Sequence, residues 1–223
     1  MYVVIAILVG ALTIGGPTLA QQPPNAATLA GYTGLHAAAA AGDVAGIRRL
    51  AAAGADLESR DENGRTPLHV AAFVSHDAAV AALAAAGADV DAFDNQDYDI
   101  VTIAAVANDP ELLRGTLALG ADPGATTSPY RGTALIAAAH LGHDQIVRIL
   151  IDAGAPLDHI NNLGWTALIE AVLLGDGGPR HVATVRALVA AGASRDIADR
   201  DGATPLDHAS RRGYDAMVAL LGG

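Results

Sequence analysis

A Gly-Ala pair returns along this chain at Gly54-Ala55, Gly87-Ala88, Gly120-Ala121, Gly154-Ala155 and Gly192-Ala193, at spacings of 33, 33, 34 and 38 residues. A second mark travels with it. It reads Thr33-Gly34-Leu35-His36, Thr66-Pro67-Leu68-His69, Asp99-Ile100-Val101-Thr102, Thr133-Ala134-Leu135-Ile136, Thr166-Ala167-Leu168-Ile169 and Thr204-Pro205-Leu206-Asp207, spaced 33, 33, 34, 33 and 38. Two independent marks sharing one period restrict the chain to a stacked repeat. Each unit is then one supersecondary element that buries its apolar face only against its neighbours.

Composition fits stacking better than a single globular core. The chain is 52% hydrophobic but only 4% aromatic, and 51 of its 223 residues are alanine. Alanine buries little area per residue, so the packing must be thin layers in close approach. The Ala pairs Ala71-Ala72, Ala104-Ala105 and Ala138-Ala139 suit that role. Larger apolar residues gather on a second helix per unit, as in Ile146-Val147-Arg148-Ile149-Leu150. Thr66 can cap a helix with its hydroxyl, and Pro67 suits the first helical position, where an N–H is not needed. The recurring glycines fit positions just past a helix end that require positive φ.

The stretch Thr66-Pro67-Leu68-His69-Val70-Ala71-Ala72 carries the T-P-L-H-x-A motif. With its 33-residue period, the chain resembles the ankyrin repeat family over about residues 28–223. The resemblance implies an all-α solenoid with short loop hairpins. Its six units run about 28–60, 61–93, 94–126, 127–160, 161–198 and 199–223, each a helix, a tight turn, an antiparallel helix and a projecting loop. The first and last units are expected to act as caps, after a tether at 21–27. Three departures stand out. The loop at 122–132 is one residue longer than its neighbours. Asp176–Arg180 is inserted between the two helices of the fifth unit. Thr102, Ile136, Ile169 and Asp207 replace the signature histidine in units three to six, which puts in doubt the loop hydrogen bonds that it makes in the family.

The first twenty residues read differently. Residues 2–16 are apolar and uncharged, and Pro17-Thr18-Leu19-Ala20 leads into the polar Gln21-Gln22-Pro23-Pro24-Asn25. A short apolar run ending in small residues reads as an export signal, residues 1–20, cleaved after Ala20. It is short for a membrane span, although its start carries no Lys or Arg. An uncleaved membrane anchor is the alternative. The expected location is therefore periplasmic or secreted.

Several chemistries are excluded at once. Without cysteine there is no disulfide, thiolate zinc site or thiol nucleophile. A net charge of −11 and a pI near 4.9 argue against nucleic-acid binding. No cofactor is expected. His140, His143 and Asp144 could hint at a metal site, but Gly142-His143 matches the family's usual turn, so none is assigned. Asp94-Asn95-Gln96-Asp97 and Asp199-Arg200-Asp201-Gly202 read as solvated loop tips, with weak calcium binding as the rival.

The family resemblance implies partner binding along loop tips and the exposed, concave face of the first helices. Six of the seven aromatics beyond the signal map there: Tyr32, Phe73, Phe93, Tyr98, Tyr130 and Trp165. Aromatic enrichment marks interface hot spots, although aromatics can also merely cover the edge of an alanine-rich core. His140 and Leu173, with Ile160, Trp165 and Tyr130, outline a groove over units four and five. The expected partner is a protein or peptide, neutral or basic given the acidic chain, with Arg60, Arg65 and Arg131 as positive points. The chain itself is expected to be a monomer.

Glu170 and His208 form the sharpest chemical signal. They occupy the same repeat position in adjacent units, where other units place Ala37, Val70, Ile103 and Ala137. That position should be buried, and a buried carboxylate needs a partner. One reading pairs Glu170 with His208 or nearby backbone and has it tie the inserted turn to the solenoid. The rival is a small-molecule or hydrolytic site with Glu170 as general base beside His140 or His181.

Overall fold

A computed structural model describes residues 21–223, and the signal reading for residues 1–20 lies outside them. Among the described residues there are thirteen helices and one isolated bridge, Thr127 with Gly132, so the fold is all-α as the repeat demands. After α1 (Ala26–Gly31) the helices come in pairs. The first helices are α2 (Gly34–Ala40), α4 (Pro67–Phe73), α6 (Ile100–Ala107), α8 (Ala134–His140), α10 (Ala167–Leu173) and α12 (Pro205–Arg212). The second helices are α3 (Val44–Ala52), α5 (Asp77–Ala85), α7 (Pro110–Ala118), α9 (Asp144–Asp152), α11 (Pro179–Ala190) and α13 (Asp215–Leu221). First helices pack on first helices and second on second, giving two parallel layers. The side formed by the first helices and the loops is called the inner face below.

Local chemistry sets these ends. Thr66, Thr133, Thr166, Thr204 and Asp99 each accept a hydrogen bond from the amide three residues on. Thr66 and His69 form a reciprocal capping box. Gly54, Gly87, Gly120, Gly154 and Gly192 all have positive φ just after a second helix, where an L side chain would be strained. Between the layers, Ala39, Ala71, Ala104, Ala105, Ala138, Ala139 and Ala171 are fully buried. Ile47, Leu83, Leu113, Ile146, Leu150 and Leu188 fill the space beneath the second helices.

The projecting loops are short reversals closed across their bases by Asp61 N to Arg65 O, Asp94 N to Tyr98 O, Asn161 N to Trp165 O and Asp199 N to Ala203 O, and by the bridge at 127–132. Asp61, Asp94, Asn161 and Asp199 use Oδ1 to accept two amides each, two and four residues ahead. The acidic tips at 94–97 and 199–202 are thus turn-forming. The tether at 21–27 is fastened at several points. Asn25 caps α1, Pro24 is buried and the Gln22 carbonyl accepts from Arg65 Nη2 at 2.8 Å.

Loop tips are also tied to one another. Asn95 N donates to Asn63 O at 2.9 Å, Ser128 N to Asp97 O at 2.8 Å and Asn162 N to Tyr130 O at 2.9 Å. A second set of clasps lies nearby. Glu58 accepts from Asp89 N, Asp91 from Asp122 N and Asp158 from Ser194 N, each at 2.8 Å. Glu58, Asp91 and Asp158 share one repeat position. Its counterpart in the remaining pair of units is Gly124, and the facing residue there is Pro156, which has no N–H. Donor and acceptor are missing together.

Candidate functional site

The inner face carries one residue per unit immediately before each helix-capping residue: Tyr32, Arg65, Tyr98, Gly132, Trp165 and Ala203. Backbone geometry aligns them into a stripe. His36 Nε2 meets Arg65 O at 2.9 Å, and His69 Nε2 meets Tyr98 O at 3.1 Å. The signature histidine therefore locks one unit to the stripe residue of the next. Burial lowers the His69 pKa, so the ring stays neutral at pH 7 and serves as a fixed hydrogen-bonding group.

The stripe is not uniformly open. Tyr98 is only 6% exposed and meets the Gln21 main chain. Burial pushes its hydroxyl up to about 12. It is therefore covered, and its placement on an open binding surface is corrected. Tyr32 is half-buried and donates to Asp61 Oδ2 at 2.7 Å. Phe73 is half-buried beneath the Arg65 guanidinium, 5.5 Å from the ring centroid. Arg65 itself is 5% exposed.

Over units four and five the face is more accessible. Ile160 is 51% exposed and Leu163 is also exposed on the same loop tip, while Phe93 is exposed on the tip two loops earlier. Trp165, Tyr130, His140 and Leu173 are half-buried. Beside this region, Phe93, Asp97, Thr126, Ser128 and Arg131 line a cleft of about 170 Å³. Leu163 lacked any sequence signal other than its place in the turn that Asn161 holds.

Of the four titratable candidates, Glu170 and His140 come together, as the rival reading expected, whereas the His181 and His208 rings turn to other partners. Glu170 is 6% exposed. Its Oε1 accepts from Asn161 Nδ2 at 2.8 Å, and its Oε2 lies 3.1 Å from His140 Nδ1. His208 instead meets Asp199 Oδ2 at 2.8 Å. The expected Glu170–His208 pair is thus absent, because each side chain folds back onto its own unit's loop. The inserted turn is not held by Glu170 either. His181 holds it, with Nδ1 2.8 Å from Asp176 Oδ1 and Nε2 3.0 Å from His140 O, and so does Tyr214, whose hydroxyl donates to Gly175 O at 3.1 Å. His143 Nδ1 lies 3.0 Å from Ala105 O, a structural contact between units. Among the described residues, no cluster of three or more His, Asp or Glu is placed to hold a metal ion, and no helix is long and apolar enough to cross a membrane.

Ankyrin repeats (three copies) are the family whose model matches residues 7–94 and 101–194, most of the chain. The chain belongs to the ankyrin repeat family. Its fold is shared by the ankyrin repeat domain ABAYE2397 of Acinetobacter baumannii AYE, with a TM-score of 0.79 and 44% identity over 84% of this chain and 95% of that one. The ankyrin repeat protein EF0377 superposes with a TM-score of 0.79 at 30% identity, covering 86% of this chain and 98% of the other. Among curated proteins, the ankyrin repeat protein YahD of Escherichia coli (strain K12) is 38% identical over 93 residues, which span 41% of this chain and 46% of YahD. Less than half of that relative is therefore covered. Ankyrin repeats are in general protein–protein interaction modules.

Proposed function

We propose that this ankyrin chain is an exported binding module that holds a protein or peptide partner on its inner face and loop tips. The observation that carries the reading is the accessible apolar strip of Ile160 and Leu163 on one loop, beside half-buried Trp165 and Tyr130, with Phe93 exposed at the place equivalent to Ile160 two loops away. Aromatic and aliphatic anchors of this kind, set among polar loop atoms, are what interface hot spots are made of. His140 and Leu173 extend the strip along the first helices, and Phe73 marks its far end. The segment 1–20, apolar and closed by Pro17-Thr18-Leu19-Ala20, supports export to the periplasm or beyond.

The hydrolytic alternative has one expected contact, Glu170 with His140 at 3.1 Å, but not the rest of a site. Both Glu170 oxygens already face Asn161 and His140, and His181 and His208 turn to other partners.

The test is affinity capture from the secretory compartment with intact chain and with a Trp165→Ala plus Tyr130→Ala variant. A partner retained by the first and lost by the second supports the reading; equal retention overturns it. Intact mass of the secreted protein, expected to begin at Gln21, tests export separately.

A further inference from the structure

Residues 21–24 form a strap across the inner face of units two and three. The Gln22 carbonyl accepts from Arg65 Nη2 at 2.8 Å, the Gln21 main chain lies beside the Tyr98 hydroxyl, and Pro24 is buried. Arg65 and Tyr98 hold the same place in successive units. The contacts are to main-chain atoms, while the side chains of Gln22 and Pro23 lie on an exposed stretch.

The receiving side is built rather than incidental. Arg65 is buried over the Phe73 ring, and its Nη1 lies 3.6 Å from Asp61 Oδ2. Asp61 therefore already balances its charge. What the guanidinium still offers is hydrogen-bond donors, which suit a neutral main-chain carbonyl better than a second carboxylate. Arg65 Nε and Nη1 are buried without a hydrogen-bond partner, and so is Gln21 Nε2. Buried donors left unfilled are costly. The strap thus fits its seat incompletely, and an occupant that fills those donors would displace it. Pro23-Pro24 holds the strap extended at low entropic cost.

We propose that the inner face around Arg65 and Tyr98 is a binding site for the main chain of an extended, uncharged, proline-containing peptide, and that residues 21–24 occupy it in cis until such a peptide displaces them. The inference rests on the inner-face reading above, but it uses units two and three rather than four and five.

The probe is a fluorescent, end-blocked peptide with the sequence of residues 21–25, added to the full chain and to full-length variants. Pro23→Gly plus Pro24→Gly loosens the strap and should tighten peptide binding about tenfold over the unaltered chain, because the intramolecular competitor is weakened. Adding Arg65→Gln to that variant should weaken binding by about tenfold, the scale of one lost charge-assisted hydrogen bond. Tyr98→Phe keeps the ring and should produce a smaller loss in the same direction. Thermal unfolding of each variant shows whether the fold is retained. Side-chain hydrogen exchange at Arg65 reads the strap directly: it should quicken in the double-glycine variant and slow again when peptide is added. Equal peptide affinity in the unaltered and double-glycine chains, no measurable binding to either, or unchanged Arg65 exchange would each overturn the proposal. Trp165→Ala plus Tyr130→Ala should leave peptide affinity unchanged. Loss of binding there would move the site to units four and five, and so overturn this placement without touching the broader reading.

Discussion

Asn161 Nδ2 donates to Glu170 Oε1 across 2.8 Å. One unit on, at the equivalent positions, His208 Nε2 lies 2.8 Å from Asp199 Oδ2. The same loop-to-helix tie is made twice with its polarity reversed: an amide donor with a carboxylate on the helix, then a carboxylate on the loop with an imidazole on the helix. In both units the loop residue also holds the turn through Oδ1.

This symmetry makes a sharp prediction. Asn161→Asp places two carboxylates together in a buried site and should cost about 2–4 kcal/mol at pH 7. The loss should shrink as pH falls towards 4, where one carboxyl takes a proton. Adding Glu170→His recreates the pair of the next unit and should recover most of the stability. Urea unfolding of the three proteins at two pH values measures this.

Asp99 is the one capping residue of the six that is not threonine. Burial raises its pKa from the ordinary 3.8 to about 6. A carboxyl whose folded pKa is raised binds its proton more tightly folded than unfolded, so stability falls as pH rises from about 4 to about 6. Asp99→Thr keeps a cap and removes the charge. It should stabilise the protein by about 1–3 kcal/mol at pH 7, with little change at pH 4, as read by thermal melts at both pH values.

The first helices of units one, four and six end on Gly42, Gly142 and Gly213, with φ of 66°, 65° and 68°. Ser75 and Asn108 take the same left-handed place at 53° and 54°. Ser75→Gly and Asn108→Gly should each stabilise by about 0.5–1 kcal/mol, the larger gain at Ser75, since asparagine tolerates this region. Chemical denaturation midpoints decide it.

The acidic clasps between loops account for part of the charge of −11. Asp158→Ala removes the acceptor for Ser194 N and should cost about 1 kcal/mol. Gly124→Asp should give no gain, because Pro156 has no N–H to offer. A stabilising Gly124→Asp would show that the clasp works through charge and not through its hydrogen bond.

The sequence by itself determined the repeat, its period, its helix starts and stops, and the place of alanine between layers. These are local properties: a threonine before a helix, a glycine after one, small residues at fixed intervals. They follow from backbone sterics and from the period alone. What a side chain reaches across units was decided only by tertiary structure. Glu170 and His208 share a repeat position, yet each has a nearer partner in its own loop, because Asn161 and Asp199 already stand within hydrogen-bonding distance. Tyr98 and Arg65 share the stripe with Trp165, yet they lie under residues 21–24, because a segment outside the repeat has folded back onto it. A period can say which residues are equivalent. Only the folded chain says which equivalent sites are open and which are covered.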